Sequence, residues 1–125
     1  MNVTERAQEA YGRSAAPIKS HRAAEFDAFA RITRRLRNAA KARKQDYSGF
    51  VAALHDNRRL WTTLAVDVAQ PENLLPRDLR ARIFWLAEFT DAESRRILEG
   101  KGDLAALIEI NAAVMQGLQG AEPQS

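Results

Sequence analysis

The chain has 125 residues, 46% of them apolar and 28% charged, with a net charge of +3 and no cysteine. That size and composition suit one globular domain; the missing thiols exclude disulfides, thiolate metal sites and cysteine nucleophiles and fit a reducing compartment. No apolar run nears the roughly 20 residues of a bilayer span, and Met1 to Arg6 carries an early acid and no hydrophobic signal core, so a cytoplasmic location without membrane insertion is expected.

Strand signals are nearly absent, because no stretch alternates apolar and polar residues for long. The expected fold class is all-α: a small antiparallel helical bundle of four main helices plus a short N-terminal helical arm. The arm and its linker are expected over 1–20, the bundle over 21–118 and a disordered tail over 119–125. A short helix over about 4–13 would start at Thr4 as N-cap and set Val3, Ala7, Ala10 and Tyr11 on one side. Pro17 then disfavours helix in the residue before it.

The second helix, about 21–45, places Phe26, Phe29, Ile32, Thr33, Leu36 and Ala40 within roughly a 120° arc at about 100° per residue. Arg31, Arg34, Arg35, Arg37 and Lys41 fall on the other side, the pattern of a helix with one face buried and one in water. Asp46-Tyr47-Ser48-Gly49 ends it, with Ser48 as the next cap. The third helix, about 49–69, aligns Phe50, Leu54, Trp61, Leu64, Ala65 and Val68, with Asn57 inside the stripe and Asp67 on its flank. Pro71 stops that helix and Asn73 suits the turn that follows.

The fourth helix opens at Leu75-Pro76, where proline fits the first turn. Its main stripe is Leu79, Ile83, Leu86, Thr90 and Ile97, and a second stripe, Trp85, Phe89 and Ala92, lies a quarter-turn or more away. Trp85 and Phe89 therefore fit either a binding patch or a seat beneath the N-terminal helix. Glycine at 100 and 102 and an N-cap at Asp103 lead into the fifth helix, where Leu104, Leu107, Ile108, Ile110, Val114, Met115 and Leu118 form a broad apolar face around Asn111.

Two buried amides need partners, since an unpaired one costs about 1–3 kcal/mol. Asn57 and Asn111 are expected to bond each other's helices or the 70–76 turn and so fix the register. Catalytic patterns are missing. His21 and His55 are far apart, and Asp56 beside His55 faces elsewhere on a helix. There is no phosphate loop, no His-x-x-x-His pair and no nucleophile elbow, so no enzyme activity, cofactor or metal is expected.

Charge is uneven along the chain. Residues 1–47 hold eleven Lys/Arg against five Asp/Glu, a balance of +6; residues 48–125 hold eight against eleven, a balance of −3. The basic run over 31–44 reads as RNA-binding or as a solvated helix face. The apolar stripe opposite it and the lack of interleaved aromatics favour the solvated face, which makes nucleic acid the less favoured partner.

Asn57-Arg-Arg-Leu-Trp61, then Asp67, Pro71-Glu-Asn73, Leu75-Pro76, Leu79-Arg80, Ile83 and Leu107-Ile-Glu-Ile-Asn111 together resemble the FlaF family of alphaproteobacterial flagellar biosynthesis regulators. Ala10-Tyr11, Glu25-Phe26, Phe29, Thr33 and Leu36 resemble the family's N-terminal half. The resemblance spans about 7–118 and implies an all-α cytoplasmic protein needed to make and export flagellin, acting with FlbT, a regulator of flagellin mRNA translation. On that reading the protein is a flagellin-binding secretion chaperone that couples export to synthesis. The alternative is a post-transcriptional regulator or adaptor acting through FlbT or on flagellin mRNA. Tyr11, Phe26, Phe29, Trp85 and Phe89 are expected as anchors, with Arg31, Arg34 and Arg35 steering acidic segments. Asn57, Trp61, Asp67, Asn73, Pro76 and Asn111 are expected to hold the bundle.

Overall fold

The computed structural model describes residues 17–120, with side chains described over 24–117. The helix expected over 4–13, including Tyr11, and the tail beyond residue 120 lie outside the described residues. Four α-helices and no strand occupy the rest: α1 (Pro17–Lys41), α2 (Tyr47–Ala69), α3 (Arg77–Leu98) and α4 (Leu104–Gly120). The fold is all-α.

Local chemistry sets the helix ends, and in four places it moves them from where the sequence alone puts them. α1 starts at Pro17, inside the segment expected as arm and linker. Proline is tolerated there because its missing N–H is one that the first turn leaves unbonded. α1 ends at Lys41 rather than near 45, since the following residues close into turns, with Asp46 N–H donating to Ala42 O at 2.8 Å. Asp46, not Ser48, caps α2: its carboxylate accepts from Gly49 N–H at 2.9 Å and from the Ser48 hydroxyl at 3.2 Å. α4 runs to Gly120, so 119–120 continue the helix that was expected to have given way to tail.

The α3–α4 corner is a Schellman motif. Gly100 takes φ 81°, a left-handed conformation that suits glycine, while Gly100 N–H donates to Ile97 O and Lys101 N–H to Arg96 O. Asp103 N–H donates to Glu93 Oε2 at 2.7 Å, and Asp103 Oδ1 accepts from Ala105 N–H at 3.0 Å, so the corner is tied to both helices.

Short connections make consecutive helices antiparallel neighbours. α1 lies beside α2 and α4, and α3 lies beside the same two, so the pairs α1/α3 and α2/α4 face each other across diagonals. The α3–α4 seam is the most thinly packed of the four.

Two apolar clusters fill the interior, one toward each end. Phe29, Trp61, Leu64, Val68, Ile83 and Ala87 form the first; Leu36, Phe50, Ala53, Leu54, Ile97 and Leu107 form the second. Each large side chain fully buried there stabilises the fold by roughly 1.5–3 kcal/mol. Between the clusters runs a buried polar belt to which every helix contributes: Thr33 from α1, Asn57 from α2, Thr90 and Ser94 from α3, and Asn111 from α4.

Asn111 is the hub of that belt. Its Oδ1 accepts from Trp61 Nε1 at 2.8 Å, and its Nδ2 donates to Asn57 Oδ1 at 2.7 Å and to Thr33 Oγ1 at 3.0 Å. Since α2 and α4 are diagonal partners, two of these bonds cross the centre of the bundle. Ser94 satisfies itself on its own helix, donating to Thr90 O at 2.7 Å. Asn57 Nδ2 and Thr90 Oγ1 make no hydrogen bond among the described residues.

Replacing Asn111 by alanine strands the indole N–H of Trp61 and the amide oxygen of Asn57 in an apolar interior. The expected cost is about 3 kcal/mol, a fall in Tm of roughly 10 °C, read by thermal unfolding with circular dichroism. A loss below about 1 kcal/mol would show that the belt does not hold the diagonal helices together.

Candidate functional site

Which way each α3 side chain points follows from spacing at about 100° per residue. Ile83, Ala87, Thr90, Ser94 and Ile97 are buried and define the inward line. Trp85, two positions past Ile83, lies nearly opposite that line and is 62% exposed. Phe89, one position before Thr90, lies on the flank and is half-buried. The two rings are four residues apart, a spacing that makes helical neighbours, and they stack with centroids 5.8 Å apart and planes inclined by 20°. Stacking of this kind is worth about 0.5–1.5 kcal/mol, less than burial of the tryptophan would return, so among the described residues most of the apolar surface of Trp85 stays uncovered.

Arg82 and Arg96 share this flank by spacing, at i−3 from Trp85 and i+7 from Phe89, and both are exposed. Arg96 Nε lies 3.3 Å from Glu93 Oε1, so its charge is paired on its own helix. The candidate site is therefore a stacked aromatic face with guanidinium groups at its rim, on the side of α3 that borders the thinly packed seam with α4.

The other residues expected as partner contacts do not gather here. Phe29 is a correction: it is fully buried, edge-to-face with Trp61 at 5.5 Å, and cannot anchor a partner without opening the core. Phe26 is half-buried on α1. Arg31, Arg34 and Arg35 are exposed, but α1 sits diagonally across from α3, so their charge lies on the far side of the bundle from Trp85. Arg35 is also engaged in an ion pair with Asp56. The arginines next to the aromatic face are Arg82 and Arg96, which a count of clustered charge along the chain passes over because they are fourteen residues apart in sequence.

Asn57, Trp61 and Asn111 sit in the belt, while Asp67, Asn73 and Pro76 lie at the turn between α2 and α3. There Asn73 Nδ2 donates to Asp67 O at 3.2 Å and Asn73 Oδ1 accepts from Leu75 N–H at 3.0 Å. Pro76 is the N-cap residue of α3 and its carbonyl accepts from Arg80 N–H at 3.0 Å. Among the exposed apolar residues that the sequence reading does not single out are Phe84 on α3 and Val66 on α2. Their signal was available, since each lies off its helix's core stripe. Among the described residues no group of three or more metal-ligating side chains occurs, and no helix is long and apolar enough to cross a membrane.

Over the described residues, fold and surface together define a four-helix bundle pinned by buried amides that displays a stacked aromatic pair from one helix. Residues 7–118, most of the chain, match the family described as "Flagellar protein FlaF", and the protein belongs to that family. No curated protein and no solved structure is similar enough to the chain to count as a match.

The two tryptophans give this arrangement a direct optical test. A Trp85→Phe variant retains only the buried Trp61, so its emission should be blue-shifted and nearly inaccessible to iodide. A Trp61→Phe variant retains Trp85 and should be red-shifted and readily quenched. Equal quenching of the two variants would contradict the assignment of one ring to the belt and the other to the surface.

Proposed function

We propose that this flagellar-family protein binds unassembled flagellin in the cytoplasm as a secretion chaperone, and that it couples flagellin export to flagellin synthesis. The observation that carries the reading is the exposed Trp85–Phe89 stack on a chain of that family. Flagellin's terminal segments are amphipathic helices that polymerise in the filament, so their apolar stripes need cover before export. A helix laid across Trp85 and Phe89 gains the aromatic burial that the folded protein leaves unused, in the manner of helix-in-groove recognition. Arg82 and Arg96 at the rim favour a helix whose polar flank is acidic, and charge of this kind governs orientation and on-rate more than affinity. On this reading the contribution of the protein is binding.

A second reading rests on a separate observation. Arg31, Arg34, Arg37 and Lys41 form an exposed basic row on α1, away from the aromatic face. Such a row suits a polyanion, either flagellin mRNA directly or an mRNA complex held with FlbT. Binding through it would weaken steeply with salt, because phosphate contacts release counterions.

Calorimetric titration with purified monomeric flagellin, without FlbT or RNA, separates the two. The chaperone reading expects a stoichiometric complex with a negative heat-capacity change from apolar burial. Combining Trp85→Ala with Phe89→Ala should weaken it about 100-fold while helicity is kept. Unchanged affinity in the folded double variant would remove the aromatic face from the mechanism, and absence of any direct complex would leave the FlbT and mRNA readings.

A further inference from the structure

The opposite flank of α3 carries a second feature. Between α2 and α3 the bundle surface opens into a groove with a cavity volume of about 610 Å³. Its floor is Ala65 and Ala87, side chains too short to fill the space between the two helices. Val66 on one lip is 58% exposed and Phe84 on the other is 44% exposed. The α2 wall runs from Thr62 to Gln70, roughly 12 Å at about 1.5 Å per residue, the length of two helical turns. At one end the Arg58–Asp91 ion pair, 2.6 Å between Nη2 and Oδ1, closes the groove.

We propose that this groove is a docking site for a short amphipathic helix bearing lysine or arginine on its polar flank, distinct from the aromatic face and independent of the flagellin reading. The argument for that occupant is charge. The charged side chains among the described residues that line the groove walls are acids, Glu88 and Asp91, with Arg58 at the closed end held by Asp91. Asp91 is shared between Arg58 and Arg95, whereas Glu88 is exposed on the lip and engaged in no ion pair among the described residues. The aromatic face on the other flank is rimmed by Arg82 and Arg96, so one helix presents two apolar surfaces with opposite electrostatic preference. Among the described residues, the basic face of a second copy is a poor match for the groove. That α1 face offers cations at Arg31, Arg34, Arg37 and Lys41 but no exposed large apolar side chain among them. An occupant with apolar residues at i and i+3 or i+4 covers Val66 and Phe84 while a cation between them reaches Glu88.

The test uses the full chain and two dye-labelled probe peptides of roughly 14 residues, a leucine–lysine and a leucine–glutamate amphipathic helix, followed by fluorescence anisotropy. The protein's net charge of +3 works against the lysine probe, so any preference for it reports the local site. With the aromatic face removed by Trp85→Ala and Phe89→Ala, so that the glutamate probe has no seat there, the expected result is at least about tenfold tighter binding of the lysine probe. Glu88→Lys should reverse the preference, Phe84→Ala should weaken the lysine probe about tenfold, and Trp85→Ala should leave it unchanged. All three side chains are exposed, and retained helicity by circular dichroism verifies that the variants fold. Equal affinity for the two probes, no binding of the lysine probe, or a loss caused by Trp85→Ala but not by Phe84→Ala would each overturn the proposal.

Discussion

Everything on the surface of this protein depends on one buried interaction, the hydrogen-bonded meeting of Asn111 with Asn57, Trp61 and Thr33. An apolar core of leucine, alanine and valine tolerates sliding, because one methyl group is nearly as good a neighbour as the next. A buried amide is not so tolerant: moved by one turn, it leaves donors and acceptors unpaired at about 1–3 kcal/mol each. The belt therefore selects one vertical register, and it does so across the α2–α4 diagonal, where no direct backbone packing sets it. Use of a polar residue at a core position to specify register is well attested in helical assemblies.

That register determines what α3 shows to solvent. With Thr90 and Ser94 held at belt level and Ile83, Ala87 and Ile97 directed into the two clusters, Trp85 has nowhere to go but outward. Phe84 and Phe89 then lie on opposite flanks, one over the α2 seam and one beside the α4 seam. The two seams differ in character as well as in packing. The groove toward α2 is lined by acids, and the aromatic face toward α4 is bordered by arginines. Both exposed apolar surfaces thus draw on α3, while α1 carries the exposed basic row on the far side of the core.

The fold was largely legible in the sequence because helical periodicity survives in every segment. The inward stripes of α1, α2 and α4, and the turns at Pro71 to Pro76 and Gly100 to Asp103, follow from residues at i, i+3 and i+4 and from cap chemistry. What did not follow were the ends set by competition between neighbours. Asp46 outranks Ser48 as a cap because its carboxylate takes two donors at once, and α1 opens at Pro17 rather than near residue 21. Asn57 and Asn111 could be singled out as amides in apolar stripes, whereas Thr33 as their partner required knowing which helices meet. The candidate site was only half legible. Trp85 stands out because it leaves the core stripe, whereas Phe29, expected both in the apolar stripe and as an anchor, is fully buried in the stripe. The charge that matters beside Trp85 was hidden in two separated arginines, while the conspicuous basic run lies on another face.

The account rests on the two tryptophans having different duties, Trp61 in the belt and Trp85 on the aromatic face, and their indole N–H groups report on each separately. We would follow both indole signals of uniformly 15N-labelled protein in NMR spectra during titration with monomeric flagellin. The account predicts that the Trp85 signal shifts or broadens with stoichiometric flagellin while the Trp61 signal, bonded to Asn111, keeps its position. A complex that moves Trp61 and leaves Trp85 untouched would contradict it, and would mean that flagellin opens the core instead of covering α3.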